Sequence, residues 1–344
     1  MTFAPLPPLP KVRGTYAFDA PLKAHLWFRA GGPAQVLFRP ADADDLAAFL
    51  AGRPAEVPLT VIGVGSNMLV RDGGIPGVTI RLPAAFGKIE VEGTRIRAGA
   101  AVLDSALAKT AAAAGLAGFE FLRGIPGTVG GALRMNAGCY GRETKDALIS
   151  ALAIDGKGTR HELSAADMGF AYRGAGLSDD FIFVAATFAG TRDDPAEITA
   201  RMDKMMKERE KTQPVHARTG GSTFQNPPGH AAWKLIEEAG CRGLKVGAAS
   251  VSDLHCNFLL NEGGATAADI EALVPERPSF YDARIDTTDG EVTVRVAAIV
   301  LSYGEPGRDQ RMMVQVAKSR ISREALARDL LVDTALPLSL LVLA

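Results

Sequence analysis

Two glycine-rich stretches are the first places in this chain where the residue types could do chemistry. The stretch "GVGSNM" spans residues 63–68, and "GIPGTVGGALRMNAG" spans residues 124–138. Glycine has no Cβ, so its backbone N–H groups can lie directly against a phosphate. A G-x-G-x-x-G dinucleotide fingerprint needs a third glycine where Met68 stands, so the first stretch fits a phosphate cradle and a tight structural turn equally well. Two such loops in one domain favour a large diphosphate cofactor, and a glycine-lined packing crossover is the alternative.

An arginine and a serine are the other candidate reactive groups. Arg173 follows Tyr172 and precedes the turn "GAGLSDD", where it could face an anionic substrate or a developing enolate, or could be a surface charge. Ser222 lies in "GGST", where two glycines leave its hydroxyl open to a ligand, although serine and glycine are also ordinary turn residues. No histidine completes a Ser-His-Asp set, and "HELSA" at residue 161 lacks the second histidine of a zinc motif. Hydrolase chemistry and a metal site are therefore not expected.

Length, charge and composition limit the class of partner. The 344 residues carry a formal net charge of -1, 47% hydrophobic residues and 37 glycines. A charge near zero removes the electrostatic reason to expect nucleic acid or an anionic membrane, so a small molecule is the better ligand. The proline-rich start lacks the pattern of a signal peptide, and the apolar run "ALPLSLLVLA" near the C-terminus is too short to span a bilayer. We expect about two domains, a cytoplasmic location and, as a default, a monomer.

Hydrophobic periodicity predicts the elements that must position these residues. In the first part of the chain it predicts strands at residues 60–70 and 77–82, a hairpin at 88–100, an alanine-rich helix at 102–118 closed by Gly115, a hairpin at 149–164 and a strand at 181–190. An amphipathic helix at 194–211 then marks a domain boundary. After the boundary it predicts a glycine-rich turn at 218–229, a helix at 231–240, a strand at 257–263 and a helix at 266–274 that begins with a capping box of Thr266 and Asp269. This mixture indicates an α+β protein.

Six motifs in this chain occur in the order and spacing of one known family. They are "FRAGGPAQ" (28–35), "VIGVGSNMLVRDGG" (61–74), "GFEFLRGIPGTVGGALRMNAGCYG" (118–141), "YR" (172–173), "KTQPVHARTGGSTFQNP" (211–227) and "AWKLIEEAG" with "HCNFLLN" (232–261). Through these motifs, residues 13–274 resemble the UDP-N-acetylenolpyruvoylglucosamine reductases, flavoenzymes of bacterial cell-wall synthesis. The short distance between Arg173 and Phe181 leaves no room for the extra tyrosine-bearing loop of one family branch, so the chain resembles the loop-lacking type.

The resemblance implies a fold and a domain order. The implied fold is α+β, with a vanillyl-alcohol-oxidase-type (PCMH-type) FAD-binding domain in two subdomains and a smaller α+β substrate domain. The expected bounds are residues 13–87 for the first FAD-binding subdomain, 88–193 for the second, 194–274 for the substrate domain and 275–344 for a divergent tail without an assigned fold.

The resemblance also implies which residues bind the ligands. FAD would be held by the two glycine loops, through Val61, Gly63, Gly65, Ser66, Asn67, Gly124, Ile125, Gly127, Thr128, Gly130, Gly131, Ala132, Asn136 and Gly138. Tyr172 and Asn226 match positions that line the substrate site, and Gln225 stands where many members carry lysine.

The implied reaction has two halves. NADPH reduces FAD and leaves, and UDP-N-acetylglucosamine enolpyruvate then binds beside the flavin and is reduced to UDP-N-acetylmuramate for peptidoglycan synthesis, with the family's roles in cell shape and cell division. Hydride transfer to the terminal vinyl carbon puts negative charge on the neighbouring carbon and its carboxylate. Arg173 would stabilise that enolate-like charge, and Ser222 would donate the proton that quenches it, which requires a pocket that stabilises its alkoxide or relays a proton.

The sequence departs from the family near its C-terminus. Family members end with a glycine-valine strand and a catalytic glutamate in a leucine-x-x-glutamate pattern. Aligning Gly290 with the family glycine places Val296 where the glutamate belongs; Glu291 and Glu305 are the nearby alternatives, and Glu291 is taken as the candidate. Residues 275–344 fit a divergent tail, a fused tail or an altered reading frame.

Two rival functions stay open at this point. A different FAD oxidoreductase on the same fold would bind flavin, but the UDP-sugar would not oxidise the reduced flavin. An inactive relative that only binds flavin or the UDP-sugar is favoured by the missing glutamate and opposed by the presence of Arg173 and Ser222.

Overall fold

The computed structural model describes residues 3–227 and 229–274, and beyond them the backbone of residues 279–287, 290–303 and 310–319. The chain divides into two compact units. The large unit comprises Met1–Leu26 and Gly32–Lys211, and the small unit comprises Trp27–Gly31 and Thr212–Ala344.

The first sheet of the large unit has four strands and one helix packed on it. In chain order these are β1 (Thr15–Pro21), β2 (Pro33–Arg39), α1 (Ala43–Gly52), β3 (Leu59–Val61) and β4 (Ile75–Ile80). The strand order is β1-β2-β4-β3. β1 pairs antiparallel with β2, whereas β4 lies parallel to β2 and β3. Phe38 of β2 and Phe49 of α1 are fully buried with ring centroids 4.5 Å apart, so the apolar face of α1 closes this core.

A second, antiparallel sheet follows in the same unit. Its elements are β5 (Ile89–Glu92), β6 (Arg95–Gly99), α2 (Asp104–Ala113), β7 (Leu116–Ala117), α3 (Val129–Met135), β8 (Gly138–Cys139), β9 (Arg142–Glu143), β10 (Leu148–Ile154), β11 (Arg160–Ser164), β12 (Ile182–Ala189) and β13 (Thr191–Arg192). The main sheet has the order β11-β10-β12-β6-β5, while β7 pairs with β13 and β8 with β9. Both predicted hairpins are confirmed, as β5–β6 and β10–β11. Gly115, with φ of +67°, follows the end of α2 as predicted.

The strand predicted at residues 60–70 is too long. β3 ends at Val61, and the chain turns immediately afterwards. Gly65 has φ of +68°, a left-handed conformation that a regular strand does not accommodate. The apolar residues after Val61 resemble a continued strand in sequence, but they flank a turn at Gly65.

The amphipathic helix α4 (Pro195–Thr212) belongs with the large unit. Ile198 and Met202, one turn apart on its apolar face, are buried in the core of the second sheet. Arg201, on the polar face, bonds Glu120 at 2.9 Å and Asp193 at 2.5 Å. The sequence placed a domain boundary before this helix, at residues 193/194, whereas the division between the two units falls at its end because its apolar face packs on the second sheet.

The small unit contains a four-stranded antiparallel sheet and two helices. Its elements are β14 (Thr219–Ser222), α5 (Ala232–Glu238), β15 (Lys245–Val246), β16 (Ala249–Val251), β17 (Phe258–Asn261) and α6 (Ala267–Ala272), with the strand order β14-β17-β16-β15. The predicted capping box of α6 is confirmed: Thr266 Oγ1 accepts the Asp269 N–H at 3.1 Å, and the Asp269 carboxylate accepts the Thr266 N–H at 2.9 Å. The glycine-rich turn predicted at 218–229 is wrong in its first part, because Thr219 is buried and pairs with Leu260 as part of a strand.

The backbone beyond residue 274 forms a separate three-stranded antiparallel sheet. The strands are β18 (Ser279–Thr287), β19 (Gly290–Tyr303) and β20 (Gln310–Ser319), in the order β18-β19-β20. β18 and β19 form a hairpin in which Thr287 pairs with Gly290. Periodicity and resemblance had predicted no fold for this segment.

Candidate active site

The first glycine loop leaves β3 and presents bare backbone. The last ladder bond runs from the Ile62 N–H to the Ile80 carbonyl oxygen at 2.9 Å. In the described part of the chain, the backbone N–H groups of residues 63–67 donate to no protein acceptor. A Cβ on Gly65 would lie 2.6 Å from the His25 carbonyl oxygen, so only glycine fits there. Successive N–H groups without a protein acceptor form the kind of concave nest that binds phosphate.

The second glycine loop meets the first. A Cβ on Gly63 would lie 2.8 Å from Thr128 Oγ1, so the two loops touch through a glycine and a buried threonine. Within residues 3–227 and 229–274, the N–H groups of Gly127 and Thr128 also donate to no protein acceptor. The structure therefore brings the two predicted cofactor loops together and lines their junction with open backbone donors.

The glycines of the second loop fall into two classes. Four have neighbours that a Cβ would strike or crowd: Gly124 beside Arg209 at 2.9 Å, Gly127 beside Asp104 at 2.6 Å, Gly130 beside Ala100 at 3.1 Å and Gly138 beside the Arg142 carbonyl oxygen at 2.5 Å. Gly131 is exposed, and the nearest atom to a Cβ would be Thr128 Oγ1 at 3.7 Å. Protein packing therefore explains Gly127, Gly130 and Gly138, whereas the Arg209 guanidinium could move aside at Gly124. Gly131 is the position where a bound ligand is the better reason for glycine.

The remaining predicted loop residues divide between surface and core. Val61, at the end of β3, and Asn67 are exposed, and Ser66 is half-buried. Ile125 packs against the core of the second sheet and Ala132 is buried, so these two support the loop from behind.

Asn136 is a buried connector. It ends α3 in the left-handed conformation, with φ of +42°, and is 2% exposed. Its amide nitrogen donates to the Glu143 carboxylate at 2.9 Å and to the Ala171 carbonyl oxygen at 3.2 Å, and its amide oxygen accepts the Lys145 N–H at 3.1 Å. These hydrogen bonds tie the glycine loop to the segment that leads to Arg173, and cofactor binding by Asn136 stays a prediction.

The tip of that segment is a tight turn. Ala171 and Gly174 pair across it, with hydrogen bonds of 3.0 and 3.3 Å, and enclose Tyr172 and Arg173. Arg173 has φ of +57°, an uncommon conformation for a residue with a side chain and one that functional sites often hold. Its guanidinium carbon lies 6.0 Å from the centre of the exposed Tyr172 ring. The turn presents a cation and an aromatic ring together, and their role in binding an anionic substrate stays a prediction.

Asp104, which the sequence did not single out, lies against the second glycine loop at Gly127. It is fully buried in the first turn of α2 among Leu107, Phe121, Leu122 and other apolar side chains, and neither carboxyl oxygen has a hydrogen-bond partner among the described residues. Burial raises the pKa of Asp104 well above its ordinary value. The second glycine loop at Gly127 therefore packs against a carboxyl group whose neutral form is favoured by burial.

Ser222 lies at a bulge in the small unit. The pairing of β14 with β17 shifts register between Thr219 and Ser222, and bulges of this kind re-aim side chains. Gly221 has φ of +83°, and a Cβ on Gly220 would lie 2.5 Å from the Phe28 ring. Glycine is thus required at both positions before Ser222: at Gly221 by the left-handed backbone and at Gly220 by the close Phe28 ring.

Asn257, which the sequence did not single out, bonds the Ser222 hydroxyl. Its Nδ2 donates to Ser222 Oγ at 2.8 Å and to the Phe224 carbonyl oxygen at 2.9 Å, while its Oδ1 accepts the Phe224 N–H at 2.8 Å. Asn257 lies in the motif "HCNFLLN", but the motif does not reveal that Asn257 bonds Ser222.

Asn226 caps a helix. Its Oδ1 accepts the N–H of Ala232 at 2.9 Å, the first residue of α5, and both Asn226 and Gln225 are exposed. The predicted substrate-binding position is therefore anchored through one side-chain oxygen.

The candidate acids of the tail lie in or beyond β19. Glu291 pairs in register with Asp286, and Val296 pairs with Tyr281. Glu305 lies outside the described residues. Among the residues that the structure describes, no group of histidine, cysteine and acidic residues could hold a metal ion, and no helix is long and apolar enough to cross a membrane.

Three sequence profiles match this chain. The FAD binding domain profile matches residues 34–164, and that of the UDP-N-acetylenolpyruvoylglucosamine reductase C-terminal domain matches residues 213–276. A third, the two-component sensor kinase N-terminal profile, matches residues 248–330. The match to the reductase C-terminal domain profile thus ends at residue 276, just before β18.

The relatives agree with the first two profiles. The chain is 61% identical over 282 residues to the UDP-N-acetylenolpyruvoylglucosamine reductase of Parvibaculum lavamentivorans, which covers 82% of this chain and 90% of the relative. It is 60% identical over 266 residues to that of Bradyrhizobium sp. ORS 278, covering 77% and 87%. The solved UDP-N-acetylenolpyruvylglucosamine reductase from Thermus caldophilus matches with a TM-score of 0.67 at 35% identity, over 76% of this chain and 92% of that one.

These similarities confirm the predicted fold class. The chain has an α+β fold with a PCMH-type FAD-binding domain and a smaller second domain.

Proposed function

The chain belongs to the UDP-N-acetylenolpyruvoylglucosamine reductase family, and from this we propose how its own residues carry out the family's reaction. It is an FAD-dependent oxidoreductase that uses NADPH to reduce UDP-N-acetylglucosamine enolpyruvate to UDP-N-acetylmuramate in peptidoglycan synthesis. The observation that carries this function is 61% identity over 282 residues, a span long enough to include both glycine loops, the Arg173 turn and the Ser222 strand.

The large unit holds the cofactor through backbone rather than side chains. The open N–H groups of residues 63–67 and of Gly127 and Thr128 suit the FAD diphosphate, because such donors bind phosphate without a clashing Cβ. Gly131 is exposed, and a Cβ there would contact only Thr128 Oγ1 at 3.7 Å, so its backbone would be open to the flavin. In the expected division, residues 13–87 and 88–193 form the two FAD-binding subdomains and residues 194–274 the substrate domain, with α4 fastened to the second subdomain.

Two side chains act on the substrate. Bound FAD supplies the hydride, which leaves negative charge on the substrate carbon next to the carboxylate. Arg173 stabilises that charge, since a guanidinium stays protonated and its turn is fixed at both ends. Ser222 gives its hydroxyl proton to the carbon. Tyr172 and Asn226 contribute to binding the UDP-sugar, from an exposed ring and an exposed amide.

The tail favours a second candidate function, an inactive flavin- or UDP-sugar-binding relative. Residues 248–330, where the family glutamate belongs, match a different profile. Glu291 is the candidate in β19 for the missing carboxylate. If Glu291 has that role, Glu291→Gln slows substrate reduction while flavin reduction by NADPH keeps its rate; an unchanged rate of both steps removes Glu291 from the site.

An anaerobic spectral titration of the purified full-length protein tests the function. NADPH should bleach the yellow flavin, and the enolpyruvyl UDP-sugar should then restore the oxidised spectrum. A matched sample reduced by light instead of NADPH separates the two substrates. Bleaching without recovery in both samples identifies the inactive relative or another FAD oxidoreductase, and a purified chain that binds no flavin overturns the proposal.

We also propose a cytoplasmic monomer that serves cell division and cell shape through its product. The UDP-sugar and NADPH are cytoplasmic metabolites, which supports the location. Light scattering of the purified protein tests the monomer, because a dimer would double the measured mass.

A further inference from the structure

We propose that Asn257 is a positioning residue that fixes the Ser222 hydroxyl as a proton donor; the inference rests on the proposed function. The contact that carries it is the hydrogen bond from Asn257 Nδ2 to Ser222 Oγ, 2.8 Å long. Asn257 is 2% exposed, so this bond is shielded from water on the asparagine side.

The orientation of the Asn257 amide is set by the backbone. The nitrogen and oxygen of a side-chain amide have nearly the same size, so which atom faces which neighbour must be decided from hydrogen bonds. The Phe224 N–H requires an acceptor and the Phe224 carbonyl requires a donor, at 2.8 and 2.9 Å from the Asn257 side chain. Oδ1 must therefore face the N–H and Nδ2 the carbonyl. The remaining hydrogen of Nδ2 then points to Ser222, and the reverse orientation would oppose like groups at both backbone contacts.

This orientation decides which way the Ser222 proton can go. Because Oγ accepts a hydrogen bond from Asn257, the hydroxyl hydrogen must be directed to another acceptor. In the transfer step the O–H bond of Ser222 breaks, a C–H bond forms at the substrate carbanion, and the electron pair stays on Oγ. The Nδ2–H of Asn257 stabilises that alkoxide, and solvent returns the proton afterwards. A serine is a weak acid in water, so a donor placed against its oxygen is what the step needs.

Asn257 is itself held in place by its neighbours. Its backbone carbonyl accepts the Thr223 N–H at 2.8 Å, and its own N–H donates to His255 Nδ1 at 3.3 Å. Burial lowers the pKa of His255 and so favours the neutral ring, in which Nδ1 can accept this hydrogen bond. The Ser222 strand and the Asn257 loop are thus fastened to each other by both backbone and side chain.

The test compares Asn257→Ala with a matched control, Asn261→Ala, in the full-length holoenzyme. Asn261 lies in β17 and is 5% exposed, and its amide is equally occupied, by the Phe28 carbonyl and the N–H groups of Gly263 and Ala265. Stopped-flow spectroscopy measures flavin reduction by NADPH and reoxidation by the UDP-sugar separately. Asn257→Ala should slow reoxidation about 10- to 100-fold and leave reduction within about 2-fold of wild type. Asn261→Ala should lower the melting temperature by a similar amount and slow neither step selectively.

If Asn257→Ala folds poorly, Asn257→Asp tests the same hydrogen bond. Asn257→Asp has the same size but, when ionised, accepts a hydrogen bond from the Ser222 hydroxyl instead of donating one to Oγ. Its reoxidation rate should rise as the pH falls and the new carboxyl is protonated, because a carboxylic acid can donate to Oγ again. The rate of Asn257→Ala should not show this rise, and a purely structural role for Asn257 predicts none in either variant.

The outcomes separate this inference from the proposed function. Failure of the wild-type reduced flavin to be reoxidised by the UDP-sugar overturns the proposed function and the inference with it. Wild-type reoxidation together with normal rates in both Asn257 variants, or equal slowing in Asn261→Ala, overturns the role of Asn257 alone. A Ser222→Ala background gives the last check: Asn257→Ala should then cost little more, and a fully additive loss contradicts the inference.

Discussion

The two units hold their candidate reactive side chains through a buried asparagine, but at different points. In the large unit, Asn136 bonds the Ala171 carbonyl and so fixes the backbone before Arg173. In the small unit, Asn257 bonds the Ser222 oxygen itself. A guanidinium does not lose its proton, so it needs only a fixed backbone. A hydroxyl that must release a proton needs its oxygen held and its alkoxide stabilised, which a backbone contact alone does not do.

The largest expected effect tests whether the large unit holds its cofactor through bare backbone. Gly63→Ala would place a Cβ 2.8 Å from Thr128 Oγ1 and push the two loops apart. We expect FAD to bind about 100-fold more weakly, a loss of about 3 kcal/mol, measured by fluorescence titration of the apoprotein. Thr128→Ala in the same chain removes the clashing atom and should restore part of the affinity. Unaltered FAD binding in Gly63→Ala would show that the loops do not meet at the cofactor.

A smaller effect tests the asparagine of the large unit. Asn136→Gly keeps the left-handed backbone, which glycine adopts freely, and removes only the side-chain bonds to Glu143, Lys145 and Ala171. The Arg173 turn loses its support, and reoxidation by the UDP-sugar should slow about 10-fold, the effect of losing about 1.4 kcal/mol. Stopped-flow traces give the rate. Asn136 does not contact the group that donates the proton, so the pH dependence of reoxidation should stay as in wild type. A shifted pH profile would mean that Asn136, like Asn257, affects the proton transfer.

The smallest effect tests the unpaired carboxyl behind the flavin loop, which in the described structure has no counterpart next to Ser222. The raised pKa of Asp104 means that the folded protein keeps its proton after the unfolded chain has lost it. Stability therefore falls as the pH rises from the ordinary carboxyl range towards the folded pKa, by about 1.4 kcal/mol per pH unit. Asp104→Asn has no such proton. The free energy of unfolding of the variant minus that of wild type should therefore increase by about 1.4 kcal/mol per pH unit as the pH rises.

Urea unfolding of both holoproteins at several pH values between 4.5 and 7 measures that slope. A constant difference across the range would mean that Asp104 ionises in the folded protein as readily as in the unfolded chain.

Much of the fold was predictable because local rules decide it. The hairpins at 88–100 and 149–164 alternate in polarity, and α6 begins with a capping box, so each element is specified by residues near in sequence. The domain boundary was not local. Whether α4 packs on the sheet before it or the sheet after it depends on which core receives Ile198 and Met202, and the periodicity of the helix is the same in both cases.

The candidate site divides in the same way. Glycines, Arg173 and Ser222 were predicted because a bare backbone, a cation beside a small-residue turn and a hydroxyl between glycines are visible as residue types. Asn257 was missed because its partner lies 35 residues away along the chain. Asp104 was missed because an acid in the first turn of a helix normally complements the helix dipole, and nothing near it in sequence shows that apolar side chains close over it.

Cofactor binding by the large unit and protonation by the small unit are separated by one substitution, Ser222→Ala. Anaerobic stopped-flow spectroscopy of wild type and variant, each loaded with FAD, gives the rate of bleaching by NADPH and the rate of recovery with the UDP-sugar. We predict bleaching within about 2-fold of wild type and recovery slowed by about 100-fold or more, the range expected for loss of a general acid. Recovery at the wild-type rate, or an equal loss in both steps, would show that Ser222 is not the proton donor.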